Sequence, residues 1–357
     1  MVLIPGLPDE IGLECLVRVP RRSFPAVAAV CRSWNRQIRL PEFWTRRRLS
    51  GSTRGVVVLS QAVVDPTREV GSEKSVAPVY RLTVFEPGTG YWARLPAAPG
   101  CADGLPMFCR IAGVGRSLVV IGGWNPATGE VSSGVLVYDF VSGAWRRGAD
   151  MPGCRRSFFA CAGSNLDDRT VYVAGGHDGD KQALKSTLAY DVAGDNWSVL
   201  PDMSAERDEA EGVFHRGKFH VIGGYATSAQ GRFTTSRESF DPSTCQWDPV
   251  QDDFLDSATC LKNVSGDGSG SLFWCRGADV VSREGMTWRS VGEVPGEVRK
   301  TVSFVTAWQG NVLVIGSDRF GGAHKSYVLN LKSSKWEMIR SNEEFSGHVQ
   351  LGCSLDL

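Results

Sequence analysis

The chain has 357 residues, with 39 basic and 39 acidic side chains and ten cysteines. This length allows two domains or one large repeat domain, and a balanced charge gives no general attraction to nucleic acid. No run of about 18 apolar residues is present, so we expect no membrane span, and the first residues lack the features of a secretory signal. Because the cysteines include no C-x-x-C pair, we interpret them as reduced, buried side chains of a cytoplasmic and/or nuclear protein.

The charge is nevertheless uneven along the chain. Residues 1–50 contain nine arginines and four acidic residues, a net charge of +5, which leaves about −5 for the remainder. The arginines are not interleaved with aromatic residues as in a stacking platform, and the acidic remainder would repel phosphate. We therefore predict no nucleic-acid partner and interpret the arginines as a solvated basic face that meets an acidic partner.

Residues 7–40 show the periodicity of short helices. Pro8 and the acidic residues after it suit the start of a first helix, which Pro20 ends. Ser23 is a candidate N-cap for the apolar stripe that follows, and a break is expected near Arg32–Ser33. Three helices in about forty residues bury too little surface to be stable alone. This helical module therefore needs a partner.

Beyond Ser50 the sequence changes to short β-runs separated by glycine-rich turns. Six tryptophans recur at intervals of 53, 52, 50, 41 and 48 residues: Trp92, Trp145, Trp197, Trp247, Trp288 and Trp336. Seven positions before each stands an apolar or aromatic residue, as at Tyr190 before Trp197. A period of this length indicates a propeller or solenoid, and the fixed register assigns the tryptophans to packing between strands.

Each complete unit contains four predicted strands, here named a to d. Three units end strand b in a pair of glycines: Gly122-Gly123, Gly175-Gly176 and Gly223-Gly224. Paired glycines allow positive φ where a Cβ would collide with the adjacent blade. In unit five only 11 residues separate Gly277 from Trp288, which predicts a very short third strand.

Unit one lacks strand a, and the end of the chain supplies a candidate for it. Residues 348–355, HVQLGCSL, have the apolar, small-residue character of an inner strand, so we predict that they complete blade one and close a six-bladed ring. Residues 63–79 are polar and are expected to form a mobile loop inside blade one. The cluster GDGSG at 266–270 is interpreted as a hairpin turn, because no helical pattern follows it.

Two stretches carry family resemblances. LPDEIGLECLVRVP at 7–20, VCRSWNRQI at 30–38 and PEFWTRRR at 41–48 resemble an F-box, while a diglycine followed by Tyr-Asp and Trp resembles the kelch repeat. Together they resemble plant F-box/kelch-repeat proteins. The resemblance implies a small all-α F-box at residues 1–50, followed by an all-β, six-bladed kelch-type β-propeller at residues 51–357 that the C-terminal strand closes.

The same resemblance implies a function. The F-box would bind a Skp1-like adaptor, and through it a cullin, while the propeller would recruit a protein substrate for ubiquitination and degradation. Related proteins recruit enzymes of phenylpropanoid metabolism, such as phenylalanine ammonia-lyase. Such a receptor needs no catalytic residue and no cofactor, so we expect a non-catalytic subunit with neither a nucleic-acid nor a membrane partner.

Candidate site residues form two groups. The F-box resemblance assigns adaptor binding to Leu7, Pro8, Ile11, Leu16, Pro20, Val30, Cys31 and Trp34. Each of them would serve equally well in the core of a helical cap. In a four-stranded meander the b–c and d–a connections share one face, which here combines aromatic and charged residues, as protein-binding surfaces do. Its candidate substrate-binding residues are Trp124, Arg155, Arg156, His177, Asp178, Arg207, Tyr225, Arg299, Arg319 and Phe320. For each arginine, a solvated rim charge is the alternative.

Two other functions are considered. One is a protein-binding scaffold outside any ligase, with a purely structural helical module. The other is a propeller oxidase with copper ligands from Tyr, His and Cys. Of the five histidines only His215 and His220 are close in sequence, on adjacent strands where packing is the preferred interpretation. Neither a G-x-S-x-G elbow nor a P-loop is present, so no metal site and no catalytic residue is predicted.

Overall fold

The computed structural model describes residues 3–64, 78–261, 263–267 and 270–357. Its first fifty residues form four short helices and one 3-10 turn: α1 (Asp9–Val17), the turn Arg21–Ser23, α2 (Phe24–Val30), α3 (Arg32–Gln37) and α4 (Pro41–Leu49). Cys31 is extended, with φ of −161°, and its Sγ accepts the Trp34 N–H at 3.4 Å. The predicted break therefore lies one residue earlier than expected, at Cys31. None of the helices described is long and apolar enough to cross a bilayer.

The remainder of the described chain forms six antiparallel sheets of four strands. The first contains β1 (Gly55–Ala62), β2 (Tyr80–Glu86) and β3 (Tyr91–Arg94). The second contains β4 (Arg110–Val114), β5 (Ser117–Ile121), β6 (Val135–Asp139) and β7 (Ala144–Gly148), and the third β8 (Ala160–Gly163), β9 (Thr170–Ala174), β10 (Thr187–Asp191) and β11 (Asn196–Leu200).

The fourth sheet contains β12 (Glu211–His215), β13 (Lys218–Ile222), β14 (Arg237–Asp241) and β15 (Gln246–Trp247). The fifth contains β16 (Ser265–Gly266), β17 (Leu272–Arg276), β18 (Asp279–Glu284) and β19 (Thr287–Glu293), and the sixth β20 (Thr301–Trp308), β21 (Asn311–Ser317), β22 (Lys325–Asn330) and β23 (Lys335–Ile339). The last strand, β24 (Val349–Asp356), joins the first sheet. The sheets are blades 1 to 6 of a β-propeller.

The C-terminal strand closes the ring. β24 pairs with β1 from Gly55 opposite Asp356 to Gln61 opposite Val349, with a bulge at Ser60/Gln61. Beyond it, Leu357 and Arg54 exchange two backbone hydrogen bonds of 2.7 and 2.9 Å. The innermost strands of successive blades contact one another around the whole circle. The prediction of a six-bladed ring completed by the end of the chain is confirmed.

The periodic tryptophans join neighbouring blades. Trp197 lies opposite Tyr190 in blade 3, with ring centroids 5.0 Å apart, and its Nε1 donates to the Ala149 carbonyl of blade 2 at 2.8 Å. Trp145, Trp247 and Trp288 make the same kind of hydrogen bond to the outer edge of the preceding blade. Their predicted role in packing is confirmed.

Both glycines of the diglycine pairs have positive φ, 67° and 81° at Gly175 and Gly176. A Cβ at Gly175 would collide with the Arg207 carbonyl of the next blade, as expected. A Cβ at Gly176 would instead collide with the Ser157 carbonyl, at the entrance to the inner strand of its own blade. The pair therefore permits two different close approaches.

Blade 5 departs from the prediction. Its third strand, β18, has six residues, whereas the innermost strand, β16, has two. The short distance between Gly277 and Trp288 arises because the b–c connection is shortened. Arg276 pairs directly with Asp279 around a tight turn at Gly277, whose φ is 58°. The turn predicted at GDGSG does join two antiparallel strands, β16 and β17. The predicted mobile loop at 63–79 lies mostly outside the described residues, in 65–77.

Candidate functional site

The helical module packs on the face of the propeller that carries the a–b and c–d hairpin turns, here called the turn face. The apolar core around Phe24 and Trp44 continues into Tyr138 and Phe140 of blade 2. Pro25 lies against Gly143 in the c–d turn of the same blade. The helices and blades 1 and 2 therefore share one continuous core.

Ion pairs reinforce this contact. Arg21 contacts Glu86 at 2.5 Å, Arg39 contacts Asp139 at 3.0 Å, and Arg48 contacts Asp168 at 4.0 Å. All three acidic residues stand in or beside turns of blades 1 to 3. The basic face that we expected to be solvated is thus partly used inside the chain. The prediction was wrong for Arg21, whose side chain is largely buried, whereas Arg39 and Arg48 remain exposed to solvent beside their partners. The acidic propeller neutralises them.

Arg47 is buried at 1% exposure inside the helical module. Its guanidinium donates to the Val19 carbonyl at the end of α1 and to the Ser52 carbonyl beyond α4, both at 2.9 Å, and lies 4.8 Å from the centre of the Phe24 ring. Burial lowers the pKa of Arg47 to about 10. One side chain thus fixes the first helix, the last helix and the linker to the propeller.

The eight predicted adaptor residues divide between surface and interior. Leu7, Ile11 and Val30 have exposed apolar side chains, at 38, 49 and 59% exposure. Pro8, Pro20 and Cys31 are also exposed. Leu16 is in the shared core, and the half-buried Trp34 packs against it.

Trp34 also fixes the start of the chain. Its Nε1 donates to the Leu3 carbonyl at 2.7 Å, and Leu3 in turn packs against Gly12 in α1. Six of the eight residues are therefore available to an adaptor, while Leu16 and Trp34 support them.

The opposite face carries the b–c and d–a connections and is called the loop face. Four aromatic rings meet there across blades 2 and 3. Phe158 lies 5.1 Å from Phe108, 6.4 Å from Trp124 and 5.6 Å from His177, measured between ring centroids. Trp124 Nε1 also donates to Ser157 Oγ at 2.7 Å. Aromatic groups of this kind supply much of the binding energy of protein interfaces.

Polar contacts extend this group into blade 4. His177 Nδ1 lies 2.9 Å from Asp208 Oδ2. Tyr225 donates its hydroxyl to Glu209 Oε1 at 3.0 Å, and burial together with this hydrogen bond raises the pKa of Tyr225. The structure therefore brings Trp124, His177 and Tyr225 into one row across three blades.

Arg156 and Arg207 lie in the interior, at 3% and 2% exposure. Arg207 donates to the Gly223 carbonyl at 2.7 Å and forms an ion pair of 3.0 Å with the fully buried Glu238. Arg156 donates in the same way to the Gly175 carbonyl at 3.3 Å. Both hold the diglycine of their own blade and are too deeply buried to contact a substrate, contrary to the role expected for them.

The remaining predicted residues are distributed around the loop face. Arg155 is exposed and donates to the Val131 carbonyl at 3.2 Å, and Asp178 shapes its own loop by accepting from the Asp180 and Gln182 amides, both at 3.0 Å. At blade 6 the backbone of Arg299 pairs with Ser317, which brings it close to Arg319 and to Phe320, exposed at 95%. This corner is separate from the row on blades 2 to 4.

Three residues of the loop face escaped the sequence analysis. Phe108, Phe158 and Glu209 occupy the same position in blades 2, 3 and 4, with positive φ of 57°, 53° and 52°. In blades 2 and 3 the inner strand begins two residues after this position, at Arg110 and Ala160. Their equal distance before the inner strand was the signal that could have identified them.

The rings of His215 and His220 lie 5.9 Å apart between centroids and are tilted by 53°. Both nitrogens of His220 have partners, Ser239 Oγ at 2.7 Å and the His215 carbonyl at 3.0 Å. Across the described residues, no three His, Cys, Asp or Glu side chains converge as a metal set.

Comparisons with known proteins agree with both parts of the fold. The F-box domain model matches residues 4–46, and the Kelch motif model matches residues 107–152 and 159–204. Two Arabidopsis thaliana proteins, F-box/kelch-repeat protein At1g80440 and F-box/kelch-repeat protein At1g15670, are 45% and 44% identical to the chain over the full length of both sequences. The chain belongs to the plant F-box/kelch-repeat proteins.

A more distant relative has the same arrangement. F-box/kelch-repeat protein SKIP20 of Arabidopsis thaliana is 31% identical over 99% of this chain and 96% of its own length. F-box/kelch-repeat proteins as a class are substrate receptors of SCF-type ubiquitin ligases, assembled from Skp1, a cullin and an F-box protein. The helices are the F-box, and the blades are the kelch propeller.

Proposed function

We propose that this F-box/kelch-repeat protein links a Skp1-like adaptor, and through it a cullin, to a protein substrate that is ubiquitinated and degraded. The observation that carries the proposal is the division of the two faces. The F-box packs on the turn face at blades 1 to 3 and directs Leu7, Ile11 and Val30 outward. The loop face, with its aromatic row and charged corner, stays open at the other end of the propeller.

The adaptor half rests on exposed apolar side chains that have no role in the fold. Ile11 stands on α1 and Val30 at the end of α2, while the opposite side of these helices enters the shared core through Leu16 and Val27. Exposed apolar groups beside a rigid core are typical of protein-binding surfaces. In this arrangement Leu7, Pro8, Pro20 and Cys31 extend the same contact surface.

The substrate half rests on the loop face. Trp124 and His177, together with Phe108 and Phe158, offer a rigid aromatic centre. Tyr225 is itself buried, at 8% exposure, and supports this centre from below through its hydrogen bond to Glu209. The charged residues Arg155 and Asp178 lie near the row, and Arg299 and Arg319 form a separate corner at blade 6 together with the exposed Phe320. This combination suits a folded protein substrate. Enzymes of phenylpropanoid metabolism, phenylalanine ammonia-lyase first, are the candidates to test.

In this proposal the chain itself catalyses no reaction, because ubiquitin transfer belongs to other subunits of the ligase, and it needs no cofactor. Its place of action is the cytoplasm and/or the nucleus. A fluorescent fusion of the full chain in plant cells tests the location. Signal confined to the secretory pathway or to a membrane would contradict it.

The test of the receptor role uses point variants of the whole chain. Deleting the F-box would expose Tyr138 and Phe140 of the shared core, so Ile11→Asp with Val30→Asp is preferred. In plant cells this variant should lose the adaptor, retain its substrates and let them accumulate. Purified extracts should then contain more of the bound substrate than with the wild-type chain.

A control variant on the loop face, Trp124→Ala with Phe158→Ala, should keep the adaptor and lose the substrate. If the intact, folded chain binds no Skp1-type adaptor, the ligase role is wrong and a scaffold outside the ligase is the better description. If both variants retain the same proteins as the wild type, the assignment of the two faces is wrong.

A further inference from the structure

A cavity lies between blades 4 and 5, apart from both the exposed side of the F-box and the loop face. Its volume is about 270 Å³. The lining comes from the a–b turn of blade 4, from β14, and from the c–d turn of blade 5, and its rim is formed by Arg216, Gly270 and Gly285. It opens on the turn face, on the side of the ring away from the contacts that the F-box makes with blades 1 to 3.

Four cationic side chains line this cavity, against one carboxylate. Lys218 pairs with the carboxylate, Asp248, at 2.8 Å, and with Asp241 at 3.3 Å. Within the described ranges, Arg216, Arg237 and Arg283 have no carboxylate partner. Three guanidinium groups therefore converge on one space without a counter-charge of their own.

Two of these guanidinium groups are held in place by Phe254. Arg237 lies 4.3 Å and Arg283 4.0 Å from the centre of its ring. Arg237 also donates its Nε to Gln251 Oε1 at 2.9 Å, and Arg283 donates its Nε to the Gly285 carbonyl at 3.2 Å. Arg283 also donates its Nη1 to the Phe254 carbonyl at 2.5 Å, and Arg237 Nη1 lies 3.4 Å from His220 Nδ1. Stacking and these bonds fix both groups, and their Nη2 donors remain for a ligand.

The electrostatic setting favours an anion. Burial and the neighbouring Arg283 lower the pKa of Arg237 to about 10. Burial, followed by Arg237, lowers the pKa of His220 to about 4, and burial with Arg216 and Arg237 lowers that of His215. Burial is the largest cause of each shift, and the neighbouring arginines add to it against the opposing charges of Asp248 and Asp267. A bound anion would relieve the part that the arginines contribute.

We infer that this cavity binds a phosphate-type oxyanion, held by the guanidinium groups of Arg216, Arg237 and Arg283. The planar fork of an arginine matches the oxygens of a phosphoryl group in pairs. Ordinary ligand pockets measure roughly 300–1,000 Å³, so this smaller space suits one phosphoryl group, free or on a small metabolite. Recognition needs neither the adaptor nor the protein substrate.

The five histidines provide the readout. The imidazole NMR signals of the full chain are followed while potassium phosphate replaces potassium chloride at constant ionic strength and pH. We expect saturable shifts at His215 and His220, and none at His177 on the loop face. Glycerol 3-phosphate is titrated in parallel. If glycerol 3-phosphate and inorganic phosphate bind with equal affinity, the free ion is a sufficient ligand. If glycerol 3-phosphate binds more tightly, the ligand is a small phosphorylated metabolite.

Variants test the residues. Arg216→Gln changes an exposed rim residue and should weaken phosphate binding about tenfold, and Arg283→Gln should do the same. Arg289→Gln removes an equal charge from an exposed position on blade 5 outside the cavity, and should change the affinity by no more than about twofold. The inference fails if the two imidazoles show no saturable shift, or if Arg289→Gln weakens binding as much as Arg216→Gln.

Discussion

Single hydrogen bonds from four of the six repeated tryptophans connect the outer parts of neighbouring blades. Trp197→Phe keeps an aromatic ring against Tyr190 but removes the donor to the Ala149 carbonyl. Because that carbonyl loses its partner, we expect the free energy of unfolding to fall by about 1 kcal/mol. Urea denaturation measures it.

Trp92 provides a matched control for this prediction. It stacks on Phe85 at 4.5 Å, but its buried Nε1 finds no acceptor in the part of the chain that the structure describes. Trp92→Phe therefore reduces the ring by the same amount as Trp197→Phe but removes no hydrogen bond. It should lower the free energy of unfolding by less than Trp197→Phe does. Equal losses would show that ring size, and not the bond between blades, determines the effect.

Two buried histidines predict how stability changes with pH. Burial lowers the pKa of both His220 and His324 to about 4, against roughly 6.5 in the unfolded chain. Between these values the unfolded state binds protons that the folded state does not. The contribution of each histidine to the free energy of unfolding is therefore fully present above pH ~6.5. It is lost as the pH falls toward ~4, and the loss is at most ~3 kcal/mol for each histidine.

The measurement is the free energy of unfolding at several pH values between about 4 and 7. His324 Nδ1 accepts the Val349 N–H at 3.2 Å, and His324→Gln keeps an acceptor there without the titrating ring. This variant should lose less stability on acidification than the wild type. An identical pH profile would mean that His324 is not protonated on unfolding in this range.

At the residue scale, the sequence predicted the roles of the residues that repeat along the chain. The tryptophans and the diglycines recur in a fixed register, so their structural roles follow from the period. Arg156 and Arg207 looked like surface charges, because their acceptors are carbonyls of a turn about twenty residues away and, for Arg207, the buried Glu238. Only the folded blade brings these groups together.

The closing strand is the element on which the ring depends most. Deleting residues 345–357 removes β24 together with the buried Phe345 and Leu357, and exposes the edge of β1. We expect aggregation or a large drop in melting temperature, measured by calorimetry. Ser354→Ala, at an exposed position of the same strand, should leave the melting temperature unchanged. Unchanged melting of the truncated chain would refute the role of the strand.

The contact between Arg21 and Glu86 joins the F-box to blade 1. Both side chains are largely buried, so we expect Arg21→Glu to cost on the order of 2 kcal/mol of unfolding free energy, because two like charges then face each other. Adding Glu86→Arg should restore most of the loss. Arg147 and Asp150 form an exposed pair, and the same exchange there should cost less than about 1 kcal/mol. A double-mutant cycle without coupling between Arg21 and Glu86 would contradict this contact.

At the element scale the sequence predicted the strands well and the lengths of irregular connections poorly. The short distance from Gly277 to Trp288 predicted a very short third strand, whereas blade 5 shortens its b–c connection and keeps β18 complete at six residues. The spacing between the repeated glycines and tryptophans limits the total number of residues in a blade. The hydrogen-bond pairing between strands decides how many of these residues belong to strands and how many to loops.

On the scale of the whole molecule, the uneven charge of the sequence is a device for assembly. A basic F-box and an acidic propeller meet through Arg21, Arg39 and Arg48 and through a shared core. The F-box is thereby fixed to one end of the propeller, and a substrate bound at the loop face is held at a set position relative to the adaptor. The division into two domains followed from the sequence, but their mutual orientation did not, because it depends on turns far apart in the chain.

The central claim is that adaptor binding resides in the exposed side of the F-box and is independent of the loop face. The most direct measurement is the dissociation constant of a purified Skp1-type adaptor for three folded, full-length chains: the wild type, Ile11→Asp with Val30→Asp, and Trp124→Ala with Phe158→Ala. We predict that the first and third bind equally and that the second binds at least about a hundredfold more weakly. Equal binding by all three chains, or no binding by the wild type, would contradict the account.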